Sequence, residues 1–191
     1  MTGKPIGLDG FAAKFAGDGD PWGTFTGRDE AVKRQAILHA LGPGPWGRVL
    51  ELASGVGANS AAIARGALRL DATEGTAEGA ALTAKAIGGC PRARASVLVL
   101  PGRPPRHAYD AVVLAELLYY LTPRDMAAAA QDVARVLRLG GRLVLAHHRV
   151  DFHDFAQHAA GIHDRFLRAT GREWRVRPVR FTRRWRVVVA R

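Results

Sequence analysis

The sequence predicts an α/β fold: a doubly wound, seven-stranded sheet, mostly parallel and closed by a C-terminal antiparallel hairpin. Three observations carry this. Val49 to Gly57 reads V-L-E-L-A-S-G-V-G, an aliphatic strand that runs into a glycine-bearing turn ahead of a helix. Short apolar strands then alternate with helical periodicity as far as His147, which is the rhythm of parallel βαβ units. Two strands near the C-terminus are joined by a turn too short for a crossover, so they pair antiparallel.

From Asp29 to Leu41, the residues Val32, Ala36, Ile37 and Ala40 recur at helical spacing, and Asp29 and Glu30 suit the positive end of the helix dipole. G-P-G-P-W-G breaks the chain before the Val49 strand, and Asn59 to Arg65 forms the helix after it. The second strand, A-L-R-L-D-A-T-E, leads to a helix over Ala77 to Ile87 that Thr76 caps and Gly88-Gly89 ends. Ala95 to Leu100 makes a third strand and Asp110 to Ala115 a fourth, nearly all apolar as buried parallel strands are. Thr122-Pro123-Arg124-Asp125 is a capping box with proline at the first helical position, opening a helix to Leu139 that Gly140-Gly141 terminates. R-L-V-L-A-H is the fifth strand, and a helix over Phe152 to Arg168 follows it. Glu173 to Val179 and Trp185 to Ala190 form the hairpin at one sheet edge, where arginines alternating with Trp174 and Val176 keep the edge soluble.

The 191 residues suffice for one domain with a full core, residues 1–27 forming a lid or anchor segment ahead of it. No apolar run approaches the ~18 residues that span a bilayer, and M-T-G-K-P-I-G-L-D-G lacks the apolar core of a signal peptide, so a cytoplasmic protein is expected. The lone Cys90 excludes an intramolecular disulfide. His153, His158 and His163 lie at steps of five, which turns them around a helix and off any single metal-binding face, so no metal is expected. Lysine and arginine number 28, all but four of them arginine, and the net charge is +11. From Asp151 onward ten arginines face four acids. That asymmetry admits nucleic acid, but the arginines lack the aromatic interleaving of a single-strand platform, so nucleic acid is the weaker reading and an anionic small partner the better one.

In open parallel sheets the ligand crevice lies at the carboxyl ends of the strands. There the sequence collects Ala53 to Gly57, Glu74 and Gly75, Val99 to Pro101, Ala115 to Tyr120, and His147-His148. Gly55 and Gly57 let the backbone turn tightly and approach a nucleotide-type cofactor. A dinucleotide loop would read G-x-G-x-x-G, whereas here Ser60 holds the third glycine position and the acid, Glu51, lies inside the strand. NAD and FAD therefore fit poorly. An adenosine cofactor needs a carboxylate after the second strand for both ribose hydroxyls, and Asp71 and Glu74 both qualify.

The Glu51 to Gly57 segment resembles the acid-x-G-x-G-x-G pattern of class I S-adenosyl-L-methionine methyltransferases, with Ala53 where that class prefers glycine. G-T-A-E-G after Glu74 resembles the same class's x-S-P-E-A helix start and selects Glu74 over Asp71. D-P-W at Asp20 to Trp22, Y-D-A-V-V-L-A-E-L-L-Y-Y-L at Tyr109 to Leu121, L-R-L-G-G-R-L-V-L-A-H at Leu137 to His147, and H-D-R-F-L at His163 to Leu167 resemble the nodulation-protein-S-like methyltransferases over nearly the whole chain. The resemblance implies a Rossmann-like fold and an S-adenosyl-L-methionine site formed by Trp22, Glu51, Ala53, Ser54, Gly55, Gly57, Glu74, Gly75, Val99, Leu100 and Ala115. The acid or amide that this family places after the third strand for the adenine amino group is missing, because V-L-V-L-P offers only backbone.

The expected activity is N- or O-methylation of a small sugar-like or natural-product acceptor. His147 has the neutral-pH range of a general base, and Glu116 and Tyr120 are rival candidates. Tyr119 is a second candidate wall for the methyl site, and His163 a weaker substrate contact. Trp22 covers the cofactor or anchors the N-terminus. Two other readings stand beside this one: RNA methylation, from the basic C-terminal region, and a binding or scaffold protein without transfer chemistry, from Ala53 and the missing third-strand acid. No D-P-P-Y or N-P-P-Y segment occurs, which argues against methylation of base amino groups.

Overall fold

The structure is a computed structural model that describes residues 5–191, so residues 1–4 of the expected lid segment lie outside the described residues. The elements run α1 (Leu8–Gly17), α2 (Arg28–Leu41), β1 (Trp46–Leu52), α3 (Ala58–Ala64), β2 (Ala67–Glu74), α4 (Ala77–Ile87) and β3 (Ala93–Val97). They continue with β4 (Tyr109–Ala115), a 3₁₀ turn (Leu118–Tyr120), α5 (Pro123–Val136), β5 (Leu137–His148), α6 (Ile162–Ala169), β6 (Val176–Phe181) and β7 (Trp185–Ala190).

All seven strands join one sheet in the order β3-β2-β1-β4-β5-β7-β6. β1, β2, β3, β4 and β5 are parallel, and β7 pairs antiparallel with both β5 and β6. The expected hairpin is present, with β6 at the edge. The strand order reverses between β1 and β4, which opens the crevice of a doubly wound sheet there.

Side chains alternate across each strand, so two cores form. Leu50, Leu52, Val112, Leu114, Leu143 and Leu145 face α5 and α6, meeting Val133 and Phe166. Val49, Val113, Val144 and Ala146 face α2 and α3, meeting Ile37 and Ile63. Each such buried Leu or Val contributes roughly 1.5–3 kcal/mol relative to exposure. This alternation also decides which polar strand residues reach the crevice.

Local sequence signals explain most boundaries. Thr76 Oγ1 accepts the Gly79 amide at 3.1 Å and opens α4, while Thr122 Oγ1 accepts the Asp125 amide at 3.1 Å and opens α5 behind Pro123. The N-terminal segment contains a helix, α1. Two expectations are corrected. α5 stops at Val136, and Gly140-Gly141 lies within β5, where the β4–β5 register shifts between Tyr109 and Ala111 and Gly140 takes φ +73°. The glycine pair makes a bulge, not a helix end. The helix expected over Phe152 to Arg168 is confined to Ile162–Ala169. Asp151 closes the preceding chain into a loop by binding His158 Nδ1 at 2.6 Å and the Ala159 amide at 2.7 Å, and Gly161 at φ +68° separates that loop from α6.

No helix among the described residues is long and apolar enough to cross a membrane. Among the described residues no cluster of three or more His, Cys, Asp or Glu side chains is arranged to hold a metal ion.

Candidate active site

A cavity of about 560 Å³ opens at the carboxyl ends of β1, β2, β4 and β5. At one end its floor is the turn between β1 and α3. Ala53 (φ +54°) and Gly55 (φ +59°) are both left-handed there. The space a Cβ would occupy at Gly55 is free to 4 Å, so the backbone is bare toward the cavity. Gly57 serves a different purpose. A Cβ on it would lie 2.8 Å from Ala86 Cβ and from Thr83 Cα, so this glycine lets α3 and α4 pack and does not line the cavity.

The turn is pinned from below. Thr83 Oγ1 donates to the Gly55 carbonyl at 3.0 Å, which leaves its oxygen to accept from Ser54 Oγ at 2.9 Å. Glu74 closes the same end, its Oε2 accepting the Gly55 amide at 2.9 Å and its Oε1 the Gly75 amide at 2.8 Å. Burial raises the Glu74 carboxyl above its ordinary value, against the opposing pull of the Gly55, Gly75 and Thr76 amides. Ser54, Gly75, Leu100 and Ala115 line the cavity as the sequence places them. Val99 is 49% exposed and turned away; its neighbour Leu98, not singled out in the sequence, takes the wall position.

Glu51 is also displaced from expectation. It points to the α3 side of β1, is 1% exposed, and takes a 2.5 Å hydrogen bond from Ser60 Oγ. It lies beneath the turn and not on the cavity wall. Burial raises its pKa to about 7, the Ser60 bond opposing and the Glu74 charge adding.

At the other end, side chains from remote segments converge on Glu116. This residue also takes positive φ (+53°), which turns its carboxylate into the cavity. Lys33 Nζ donates to Glu116 Oε1 at 2.5 Å and lies 2.8 Å from Glu30. The His148 amide donates to Glu116 Oε2 at 3.2 Å. Lys33 is only 2% exposed; burial works against its charge, but Glu116 and Glu30 outweigh that and raise its pKa. Neither Lys33 nor Glu30 was a sequence candidate for the site, although a signal existed. Lys33 precedes Ala36, Ile37 and Ala40 at three, four and seven positions and so shares their inward face. Val32, which the sequence reading put on that face, is 38% exposed.

Tyr120 stands on the wall beside Glu116, its phenol kept from ionising by burial and by the nearby Asp154 and Glu116 charges. Tyr119 is stacked on Phe155 at 3.7 Å. Over them lies α1, with Phe11 edge-on to Tyr120 at 5.0 Å and Phe15 edge-on to Trp22 at 5.5 Å. Trp22 lines the cavity and remains 44% exposed. Its loop is set by Asp20, whose carboxylate accepts the Thr24 amide at 2.7 Å and the Phe25 amide at 3.0 Å.

His147, the leading base candidate from sequence, does not reach this cavity. It is fully buried on the opposite face of β5, bonded to the Leu118 amide and to His163, and its pKa is lowered well below the usual imidazole value by burial first and then by the neighbouring His163, Lys33 and Arg186. Strand alternation gives the cavity position to His148, whose Nε2 lies 3.8 Å from Glu116. His163 is buried as well and touches no cavity wall.

A parallel sheet reversing at β1 and β4, a bare glycine turn after β1 and a carboxylate after β2 together define the class I methyltransferase architecture. The chain belongs to the methyltransferase domain family, whose sequence profile matches residues 50–145. Solved structures share the fold. The N-methyltransferase NodS from Bradyrhizobium japonicum WM9, in complex with S-adenosyl-L-homocysteine, is 16% identical, with a TM-score of 0.79 over 96% of each chain. The DhpI–SAH complex is 19% identical, with a TM-score of 0.72 over 96% of this chain and 94% of that one. A putative methyltransferase from Pseudomonas syringae is 21% identical, with a TM-score of 0.70 over 85% of this chain and 99% of that one. No curated protein sequence matches the chain.

Proposed function

We propose that this chain is an S-adenosyl-L-methionine-dependent methyltransferase acting on an amine or hydroxyl of a small sugar-like or natural-product acceptor. The observation that carries the reading is the opposition, within one cavity, of the Gly55–Glu74 turn and the Glu116–Lys33 pair. The structures of NodS with S-adenosyl-L-homocysteine and of DhpI with SAH, and with SAM and HEP, support it as fold relatives that hold this cofactor or its product. When bound, the cofactor supplies an electrophilic sulfonium methyl.

The residues present fit that group. Glu74 has lone pairs beyond those given to the Gly55 and Gly75 amides, and these accept from ribose hydroxyls. The uncluttered Gly55 backbone and Ser54 hold the amino-acid tail. Leu98, Leu100 and Ala115 offer the apolar slot for a flat base, in place of the missing third-strand acid. Gly57 and Glu51 shape this site from beneath, and Trp22 with α1 covers it as a lid.

At the acceptor end Glu116 accepts a hydrogen bond from the nucleophile's N–H or O–H, and orients its lone pair. Lys33 holds that carboxylate in place through its contact with Oε1 at 2.5 Å. Tyr120 remains a neutral phenol that wall-packs the methyl site or donates to the acceptor. Carboxylates of Glu30, Glu116 and Asp154 on this wall favour an acceptor that brings donors, whatever the +11 charge of the whole chain attracts outside. The apolar and aromatic cavity suits a small molecule in the cytoplasm better than a nucleic acid strand.

Calorimetry with S-adenosylhomocysteine tests the cofactor half. Micromolar binding that Glu74→Ala weakens by about tenfold, or ~1.4 kcal/mol, is expected, and absence of any heat would overturn the reading. Labelled S-adenosylmethionine incubated with the protein and a cell extract tests the chemistry. Glu116→Gln is expected to slow label transfer by roughly tenfold or more at unchanged cofactor affinity, and an unchanged rate removes Glu116 from the mechanism.

A further inference from the structure

We propose that His147 and His163 form a neutral, buried positioning pair whose hydrogen bond to the Leu118 amide fixes the aromatic wall of the acceptor end. The proposal rests on the reading above only in calling that wall the acceptor's. The pair itself stands on geometry that no cofactor or acceptor enters.

The proton positions follow from the partners. The Leu118 amide nitrogen, 3.2 Å from His147 Nε2, can only donate, so Nε2 carries a lone pair and the His147 proton sits on Nδ1. That Nδ1 lies 3.0 Å from His163 Nε2 and donates to it, which places the His163 proton on its own Nδ1. His163 Nδ1 is buried with no partner. The chain of donors therefore runs in one direction, from the Leu118 amide to His147 Nε2 and from His147 Nδ1–H to His163 Nε2.

A second proton has nowhere to go without breaking this chain. On His147 it would occupy Nε2 and face the Leu118 N–H; on His163 it would face the His147 Nδ1–H. The groups that face it from the packed elements oppose it: the cations Lys33 of α2 and Arg186 of β7, with the neighbouring imidazoles of His148 on β5 and His163 on α6 adding no carboxylate. Burial first, and Arg186 second, lower the His163 pKa to about 3. An apolar pair would fill the same space without the unpartnered His163 donor, but it could not accept from Leu118.

What hangs from that amide is the wall. Leu118 opens the 3₁₀ turn, which has no side-chain cap of its own. The next ring, Tyr119, stands edge-on to His147 at 5.5 Å and stacks on Phe155. The Tyr119 carbonyl accepts the Ala156 amide at 2.8 Å and the Gln157 amide at 3.1 Å, so the turn also moors the loop carrying Phe152 and Phe155. Tyr120 follows, edge-on to Phe155 at 5.2 Å and to Phe11 of α1 at 5.0 Å. Sequence elements remote from one another thus register on a single backbone N–H held by His147.

The test uses the full chain and needs no acceptor. In protein labelled with ¹⁵N-histidine, both imidazoles are expected to show the Nδ1–H tautomer and to keep it from about pH 8 to about pH 5.5. A protonated Nε2 on His147, or titration of either ring in that range, overturns the proposal. His147→Leu is expected to speed amide exchange at Leu118 through Tyr120 by about tenfold or more while affinity for S-adenosylhomocysteine stays within roughly twofold. His147→Gln, whose side-chain oxygen can accept from Leu118, is expected to restore most of that protection. Exchange unchanged in His147→Leu, or not rescued by Gln, overturns it. If the wild type binds no S-adenosylhomocysteine, the functional reading fails instead, and the tautomer and exchange results still decide this one.

Discussion

At the β1–β2 end of the cavity the polar groups on the wall are backbone amides and one carboxylate; at the β4–β5 end they are side chains delivered by α2, β4, β5, the 3₁₀ turn and the 149–161 loop. The first end is fixed by local hydrogen bonds: Gly55 and Gly75 to Glu74, Thr83 to Gly55. The second is fixed by charge, through a lysine that is almost without solvent between two carboxylates. The difference teaches where each function resides. On the proposed function, backbone geometry would recognise a ligand common to many proteins, while a collection of distant side chains is free to suit one acceptor.

Removing Lys33 attacks the electrostatic end most directly. Lys33→Met leaves Glu116 and Glu30 facing each other without the cation, and breaking a buried pair in this way costs about 3–5 kcal/mol, the lower figure applying here because both carboxylates keep some solvent. Urea unfolding is expected to show that loss as a lower midpoint at unchanged slope, with cofactor affinity retained. Adding Glu116→Gln to Lys33→Met should recover part of it. A cost below about 1 kcal/mol would mean that packing, not charge, holds this end together, and the contrast drawn above would fail.

The sequence made the first end legible because its residues are contiguous. Val49 to Gly57 and Glu74-Gly75 read directly as strand, turn and carboxylate, and Thr76 and Thr122 announced the two helices they cap. Within that stretch, burial alone separated Glu51 and Gly57, which work from beneath, from Gly55 and Ala53, which face the cavity. The second end was legible only in part. Glu116 and Tyr120 lie just past an obvious strand, but Lys33 meets Glu116 across 83 residues of sequence. The choice between His147 and His148 turned on a one-residue parity that the strand periodicity could not fix without the pairing of β5 to β4 and β7. The sequence predicts helix from Phe152 onward, and the Asp151 closure that overrides it up to Gly161 is a set of side-chain bonds seven and eight residues along the chain that the local pattern does not announce.

Glu51 sharpens the comparison from below the glycine turn. Its folded pKa of about 7 exceeds the ordinary 4.5, so its contribution to stability is complete below pH 4.5 and is lost as the pH rises through 7. Glu51→Gln keeps the Ser60 contact and removes the titration. Between about pH 5 and about pH 8 the wild type should lose roughly 2–3 kcal/mol relative to this variant, read as diverging urea midpoints. Parallel midpoints would show that the carboxyl is ionised throughout and that water reaches beneath the turn.

Ala53 gives the smallest effect and the finest test of backbone control at this end. At φ +54° a residue with a Cβ costs about 1–2 kcal/mol, which glycine would relieve. Glycine also gains freedom in the unfolded chain, a loss of roughly 0.5–1 kcal/mol, and it gives up the Ala53 methyl that packs against the α5–α6 core. The strain term exceeds the entropy term by a small margin, and the lost methyl contact narrows it further. Ala53→Gly is therefore expected to stabilise the fold by no more than about 0.5 kcal/mol. Because the methyl lines the cavity beside Ser54, its removal should change affinity for S-adenosylhomocysteine by less than about threefold. Destabilisation beyond about 1 kcal/mol would mean that packing by the methyl, rather than the left-handed backbone, governs this position, and that the β1–β2 end depends on side chains as the other end does.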